Sequence, residues 1–250
     1  MSGHSKWANI RIRKGAQDAR KGKIFTKLAR EIIIAAKQGG GDPDGNPRLR
    51  LAIEKARQAS MPQENIRRAI MRGTGESNEG ANFEEMVYEG YAAGGTAVMV
   101  SVLTDNKNRT VSDLRAIFGR NGGSLGETGC VSWMFDHRGL ISVEKDKIDE
   151  DTLLEIALEA GAEDMRVEAD TYDVITLPEN FSTVLAAIRE KGIEPSVAEV
   201  TMLPKTTVSL QGKEAQQVLR LMDLLDDHDD VQHVYANFDI SEKEMEAAAA

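Results

Sequence analysis

The sequence predicts a multidomain α+β protein: an N-terminal helical bundle, then a discontinuous α+β domain with an inserted ferredoxin-like domain. Apolar residues recur at helical spacing in about the first 75 residues, which predicts the bundle. Beyond residue 83 the period shortens to that of strands, and residues 139–203 follow the order strand, helix, strand, strand, helix, strand. The predicted domains are residues 1–76, residues 77–134 together with 205–240, and residues 135–204.

Three helices are predicted in the first domain. An amphipathic pattern predicts the first helix over 22–38, and the glycine-rich run 39–45 should end it in a mobile loop. Asn46 is suited to cap the second helix, with Pro47 at its first position. The third helix is predicted from Pro62 to Gly73.

The middle domain is predicted from two separate stretches of chain. Strands are expected over 85–91 and 97–104, and a capping-box pattern predicts a helix that begins near Thr110 and buries Val111. A helix near Ala215 to Leu225 and a strand from Val231 to Phe238 are too little for a separate domain. We therefore expect them to complete the first sheet. The final residues, 246–250, are expected to fray.

The inserted domain is predicted from the strand and helix order alone. Glycines follow each predicted helix, where a helix is expected to end. The predicted elements are strand 140–143, helix 151–160, strand 165–168, strand 172–177, helix 180–191 and strand 197–203.

Charge is strongly segregated along the chain. Residues 1–75 hold 17 of the 31 Lys and Arg but only 6 of the 41 Asp and Glu, a net charge of +11. The remaining residues hold 14 basic and 35 acidic side chains, a net charge of −21. A polyanion would be attracted to the first part and repelled by the second. The pattern predicts a nucleic-acid-binding protein that contacts the phosphate backbone through its N-terminal domain.

The candidate binding residues lie in the first domain. Lys and Arg neutralise phosphates and release condensed counterions, and an indole can stack on an unpaired base. Alternatively, Trp7 fastens the N-terminal arm to the bundle and the charges are simply solvated. The predicted nucleic-acid-binding residues are Lys6, Trp7, Arg11, Arg13, Lys14, Arg20, Lys21, Lys23, Lys27, Arg48 and Arg50.

Other groups offer weaker alternatives. Arg67, Arg68 and Arg72 either extend the binding surface or complement a helix dipole. The glycines at 39–41 lack a following Gly-Lys-Ser/Thr, which favours a connector over a phosphate loop.

Catalysis has little support in the sequence, so no enzymatic activity, cofactor or metal is predicted. His228 and His233 lie among aspartates, which suggests either a metal site or, as we favour, a solvated acidic turn. Cys130 is expected to be a small, buried thiol rather than a nucleophile.

The sequence also suggests where the protein works. It has no apolar run long enough to span a membrane and no apolar secretory segment, and its single cysteine cannot form an internal disulfide. A cytoplasmic protein is expected. A basic stretch free of acids over 1–17 would also suit a mitochondrial transit peptide, but it runs directly into a helix pattern.

Several motifs together resemble the YebC/PmpR family. The resemblance covers about residues 2–240. It rests on Gly3-His4-Ser5-Lys6-Trp7-Ala8-Asn9-Ile10, Gln17-Asp18, Gly22-Lys23-Ile24-Phe25-Thr26-Lys27, Gly39-Gly40-Gly41-Asp42-Pro43, Asn46-Pro47-Arg48-Leu49-Arg50, Tyr88-Glu89-Gly90-Tyr91, Asn108-Arg109-Thr110, Gly122-Gly123-Ser124-Leu125-Gly126 and Ala160-Gly161-Ala162-Glu163-Asp164.

The resemblance implies a helical bundle followed by two α+β domains and a role in gene expression. Bacterial relatives are described as DNA-binding transcriptional regulators, mitochondrial relatives as translational activators, and some bacterial ones are linked to ribosomes stalled on proline-rich sequence. The implied partner is therefore DNA or ribosomal RNA, with the ribosome as an alternative partner, and the oligomeric state stays open. Where relatives commonly have His-Arg-Lys, this chain has Ile12-Arg13-Lys14, so it cannot make a histidine-specific interaction there.

Overall fold

The structure of the protein, a computed structural model, describes Trp7, residues 17–76 and residues 83–248, with only the backbone of residues 17–21 and 242. The helices are α1 (Gln17–Gly39), α2 (Pro47–Gln58), α3 (Gln63–Thr74), α4 (Lys107–Arg120), α5 (Glu150–Glu159), α6 (Phe181–Glu190), α7 (Gly212–Asp226) and α8 (Glu242–Ala248). The strands are β1 (Glu84–Tyr91), β2 (Ala97–Thr104), β3 (Ser124–Leu125), β4 (Phe135–Glu144), β5 (Asp164–Val167), β6 (Thr171–Thr176), β7 (Val197–Pro204), β8 (Val208–Ser209), β9 (Val231–Ala236) and β10 (Phe238–Asp239).

Helices α1, α2 and α3 form the N-terminal bundle around a core of aliphatic and alanine side chains. Helix α3 packs tightly against α1 at Gly73, where a Cβ would lie 2.5 Å from the Ile33 carbonyl oxygen and 2.6 Å from the Ala36 Cβ. Only glycine fits this crossing without displacing backbone. The bundle core extends onto the rest of the protein through Phe83 and Leu103, which belong to the same cluster.

Asn46 fixes the turn between α1 and α2. Its side-chain oxygen accepts a hydrogen bond from the Leu49 amide at 3.1 Å, which confirms the predicted cap. Its amide group donates to the carbonyl oxygens of Ala35 and Gly40 at 2.8 and 2.9 Å. The predicted mobile loop is therefore a turn tied down by a buried side chain, because Asn46 satisfies donors and acceptors of both flanking helices.

The first sheet has the strand order β3-β1-β2-β9, and its pairings are antiparallel. Val98, Val100 and Val102 face a core shared with α4 and α7. Ala97 and Met99, which alternate with them, pack on the opposite face in a second cluster. Since β2 pairs with β9 across more than a hundred residues, this α+β unit is discontinuous, as predicted.

The second sheet has the order β5-β6-β4-β7 and is also antiparallel. Helices α5 and α6 cover one face and contribute to a core of their own. This is the ferredoxin-like arrangement predicted from the element order, inserted between β3 and β9 of the first sheet. The limits predicted for the three domains stay predictions.

Two sequence expectations need correction. Helix α4 begins at Lys107, not near Thr110, because Asn106 accepts a hydrogen bond from the Arg109 amide and caps the helix. Thr110 is instead buried inside the helix, whereas Val111, predicted to be buried, is partly exposed. Residues 246–248, expected to fray, belong to helix α8, and Met245 directly before them is fully buried in the core of the first sheet. Residues 249 and 250 lie outside the described residues.

Replacing Asn46 by Ala should expose α2 to exchange. The change removes one helix cap and leaves two carbonyl groups without their donor, which costs about 2 kcal/mol. Hydrogen–deuterium exchange of residues 47–58 should accelerate accordingly. Asn106→Ala is the matched control, because it removes an exposed cap only and should leave exchange in α2 unchanged. Equal protection of α2 in wild type and Asn46→Ala would contradict the capping role.

Candidate nucleic-acid interface

The predicted binding residues divide into two groups. Lys6, Arg11, Arg13 and Lys14 lie outside the described residues, and only the backbone of Arg20 and Lys21 is described, in α1. The side chains of the other five, Trp7, Lys23, Lys27, Arg48 and Arg50, are placed by the structure.

Trp7 lies in the hydrophobic core and is not available to stack on a base. Its side chain is 1% exposed and belongs to the cluster beneath the first sheet. The indole nitrogen donates a hydrogen bond to the Asp223 carboxylate of α7 at 3.0 Å. The position favours the alternative of a structural anchor, although the anchor joins α7 rather than the bundle. Stacking on a base requires an exposed indole. The Trp7 indole is instead covered by the apolar surface of α7, which also supplies the hydrogen-bond acceptor.

Lys23 and Lys27 face the acidic turn, which we define as residues 226–230 at the end of α7. The Lys23 ammonium lies 3.2 Å from the Asp227 carbonyl oxygen and 3.6 Å from its carboxylate. The Lys27 ammonium donates to the Asp226 carbonyl oxygen at 2.6 Å. These carbonyls end a helix, where cations are favoured by the helix dipole. Both lysines therefore hold the bundle against the rest of the protein, residues 83–248, which we call the body.

Arg30 completes this contact, although it was not among the predicted binding residues. Its guanidinium donates to the Asp229 carbonyl oxygen and lies 3.0 Å from the Asp230 carboxylate. It also stacks over the Phe83 ring, with 5.5 Å to the ring centroid. A sequence signal for this docking did exist: the acidic turn is opposite in charge to the face of α1 that carries these cations.

Asp230 is the buried residue at the centre of the contact between the bundle and the body. Its carboxylate accepts hydrogen bonds from the hydroxyl of Thr110 at 2.7 Å and of Thr104 at 3.3 Å, and from Arg109 at 3.0 Å. Burial alone would raise the pKa of Asp230. The hydrogen bonds from Thr110 and Arg109 and the charges of Arg30 and Arg109 outweigh burial and lower that pKa. The carboxylate is ionised in the folded protein at neutral pH.

Arg48 is also engaged within the chain. Its guanidinium forms a two-pronged ion pair with the Glu85 carboxylate at the start of β1 and also donates to Gln38 at 2.7 Å. The hydrogen bond to Glu85 raises the pKa of Arg48, and the same bond lowers the pKa of Glu85. The pair is half exposed and links the bundle to the first sheet.

Arg50 remains open to solvent. Its guanidinium has no partner among the described residues, and the same holds for Arg57, two helical turns further along α2, and for Arg67 on α3. Helix α2 carries four basic residues and one acidic residue, and α3 carries three and one. The open positive surface of the described bundle therefore lies on α2 and α3 rather than on α1.

The histidines near the acidic turn have structural contacts. The His228 ring accepts a hydrogen bond from the Asp230 amide at 3.1 Å, and its other nitrogen lies 3.5 Å from the Asp113 carboxylate. His233 stacks on Tyr235, with ring centroids 6.0 Å apart. Within residues 17–76 and 83–248, no three His, Cys, Asp or Glu side chains are grouped to hold a metal ion.

Cys130 is partly buried in a loop that Glu89 holds in place. The buried Glu89 carboxylate accepts hydrogen bonds from the backbone amides of Gly129, Val131 and Ser132 at 2.7–2.8 Å. Burial opposes ionisation of Glu89, but these bonds prevail and lower its pKa. Burial, together with the Glu89 charge, raises the pKa of the Cys130 thiol. A raised pKa keeps the thiol protonated, which is the opposite of an activated nucleophile.

No helix within the described part of the chain has the length and apolar character needed to cross a bilayer.

Comparison with known proteins gives matches over nearly the whole chain. A family model described as the TACO1/YebC protein N-terminal domain matches residues 5–76, and one described as the TACO1/YebC second and third domain matches residues 83–238.

Relatives named "Probable transcriptional regulatory protein" include one from Dictyoglomus turgidum, 58% identical over 99% of both chains. Another, from Pelotomaculum thermopropionicum, is 56% identical over 97% of this chain and all of its own. The crystal structure of the conserved hypothetical protein Aq1575 from Aquifex aeolicus is similar with a TM-score of 0.78 and 47% identity, over 90% of this chain and 93% of that one.

Replacing Asp230 by Asn should lower the free energy of unfolding at neutral pH by about 2 kcal/mol, because charge-assisted hydrogen bonds are removed. Since folding lowers the pKa of Asp230, its stabilisation is complete above the ordinary aspartate pKa of about 3.9 and disappears as the pH falls through the lower, folded value. Urea unfolding from neutral to acidic pH measures this. Asp229→Asn, whose contact uses only the backbone carbonyl, is the control. If the wild type remained more stable than Asp230→Asn at a pH where Asp230 is protonated, ionisation of Asp230 would not be the source of the stabilisation.

Replacing Glu89 by Gln should release the loop around Cys130. A glutamine amide presents a single acceptor oxygen, so at least one of the three backbone amides is left without a partner. The Cys130 thiol then becomes more exposed, and its pKa falls because the nearby negative charge is gone. Its rate of reaction with a disulfide reagent should therefore rise about tenfold. Glu127→Gln removes a charge from the same loop without these bonds and should change the rate little. Equal rates in both variants would refute the anchoring role.

Proposed function

Because the chain belongs to the TACO1/YebC family, we propose that it is a nucleic-acid-binding regulator of gene expression that acts by binding rather than by catalysis. The names of its relatives describe a regulatory role in transcription. The single observation that carries the proposal is the group of solvent-exposed arginines on α2 and α3, namely Arg50, Arg57 and Arg67, whose guanidinium groups have no partner in the described chain. A DNA-binding transcriptional regulator in the cytoplasm is the first form of this proposal.

Arginine is the side chain best suited to this contact. Its planar guanidinium donates two parallel hydrogen bonds to a phosphate and stays charged at any physiological pH. Lys23, Lys27 and Arg48, by contrast, already contact the protein's own carbonyls and carboxylates. We therefore assign the main phosphate-binding role to α2 and α3, and a docking role to Lys23, Lys27 and Arg30 of α1.

A second candidate is a ribosome-associated translation factor that binds ribosomal RNA and relieves stalling on proline-rich sequences. It is favoured by the surface between Arg50 and Arg57. That stretch of α2 presents the exposed apolar side chain of Leu51 between the two arginines. Single-stranded loops of RNA offer unpaired bases that such a side chain can contact, whereas the bases of a DNA duplex are stacked and paired.

The triple variant Arg50→Ala, Arg57→Ala, Arg67→Ala should bind nucleic acid more weakly. For duplex DNA, the slope of log affinity against log salt concentration should become shallower by about 0.9 for each phosphate that the variant no longer neutralises. Fluorescence anisotropy over a salt series measures it. The control variant Arg115→Ala, Arg120→Ala, Lys191→Ala removes the same charge from the acidic body and should keep the wild-type slope. An unchanged slope in the first variant would reject the assignment.

The two candidates are separated by a sucrose gradient of cell lysate. Co-sedimentation with ribosomes that is abolished in the triple variant supports the translation factor, whereas retention at the top of the gradient together with duplex binding supports the transcriptional regulator.

A further inference from the structure

We propose that the bundle holds one unpaired nucleotide in a groove between α1 and α3; this inference rests on the proposed nucleic-acid binding and specifies its ligand. The groove has a volume of about 600 Å³, within the range of small-molecule sites. The side chains that matter for a ligand are Phe25, Ala29 and Ile33 of α1 and Asn65, Arg68 and Ala69 of α3.

The groove follows from the way in which the two helices cross. They are in tight contact at Gly73, next to Ile33 and Ala36. The lining residues lie on the N-terminal side of this crossing in both helices, and those of α1 extend back to Phe25. Tight contact at one end and open space toward the other give a cleft with an apolar floor.

The chemistry of the lining suits a nucleotide. Phe25 offers a partly exposed aromatic ring on which a base can stack. The side-chain amide of Asn65 has no hydrogen-bond partner in the described chain and can both donate to and accept from a base edge. The apolar floor of Ala29, Ile33 and Ala69 would cover the other apolar surface of the base.

The charge at the rim favours an anion. Arg68 lines the groove. Its ion pair with Glu64 joins atoms 3.6 Å apart, and the two side chains are 67% and 63% exposed. Such an exposed pair is weak and can be exchanged for a phosphate at little cost. The described lining contains arginines but no carboxylate. An unpaired nucleotide combines the flat apolar body and the negative charge that this groove accepts.

Duplex bases are stacked and paired, so they cannot enter the groove without being displaced. The ligand is therefore a single-stranded segment, which either an RNA loop or a locally opened DNA can supply. The full-length protein should bind a short unstructured RNA or DNA strand more tightly than the corresponding duplex. Parallel titrations of the RNA strand, the DNA strand and the DNA duplex, followed by fluorescence anisotropy, show which source is preferred.

Matched variants test the groove itself. Arg68→Ala should lower affinity for the single strand more than Arg67→Ala, which removes the same charge one residue away and outside the groove. Phe25→Leu should lower single-strand affinity about fivefold or more and leave duplex affinity unchanged, while Phe25→Tyr, which keeps the ring, should retain binding. Unchanged far-UV circular dichroism confirms that each variant is folded.

Three outcomes would overturn the inference. Equal losses for Arg67→Ala and Arg68→Ala, with Phe25→Leu silent, would mean that only phosphates are bound; the proposed function would then stand without the groove. Absence of binding to any of the three nucleic acids by the wild type would reject both. A photo-crosslinking amino acid in place of the exposed Thr26 should give a nuclease-sensitive adduct in cells, whereas an adduct to a polypeptide would assign the groove to a protein partner.

Discussion

The buried carboxylate of Asp230 is the interaction on which the relative placement of bundle and body depends. It joins Arg30 of the bundle to Arg109 and Thr110 of α4 and to Thr104 at the end of β2. A charge that is 3% exposed is costly unless it is fully hydrogen-bonded and paired, and here both conditions are met. Because neither half of the protein supplies all the partners, the junction is most stable when the bundle is docked.

Docking changes which charges are open to solvent. In the sequence, all the N-terminal cations look equivalent. In the fold, Lys23, Lys27 and Arg30 of α1 contact the acidic turn. Arg48 pairs with Glu85. The attraction between these cations and the acidic turn offsets the cost of removing both from water. Among the described side chains of the bundle, the arginines left without a partner lie on α2 and α3.

The sequence predicted the elements well and the partners poorly. Helical and strand periodicity depends on which side chains are apolar, so the elements of the two sheets were predictable from local patterns. The cap at Asn46 was predictable because asparagine is favoured at the start of a helix. The burial of Trp7 against Asp223, and of Thr110 against Asp230, depends on residues more than a hundred positions away. No local sequence pattern encodes such a pairing. An aromatic residue with cationic neighbours in sequence can equally well stack on a nucleic-acid base or be buried in the hydrophobic core.

A net charge of −10 is compatible with the proposed nucleic-acid binding because the charges are segregated along the chain. Screening limits a charge to a range of about 10 Å, so a polyanion senses the nearest surface rather than the total charge. Approach toward the acidic inserted domain is repelled, and approach toward α2 and α3 is attracted. In the proposed binding mode, the acidic domains therefore favour approach of a phosphate backbone from the side of α2 and α3. A groove beside that surface would then meet the nucleic acid in a fixed direction.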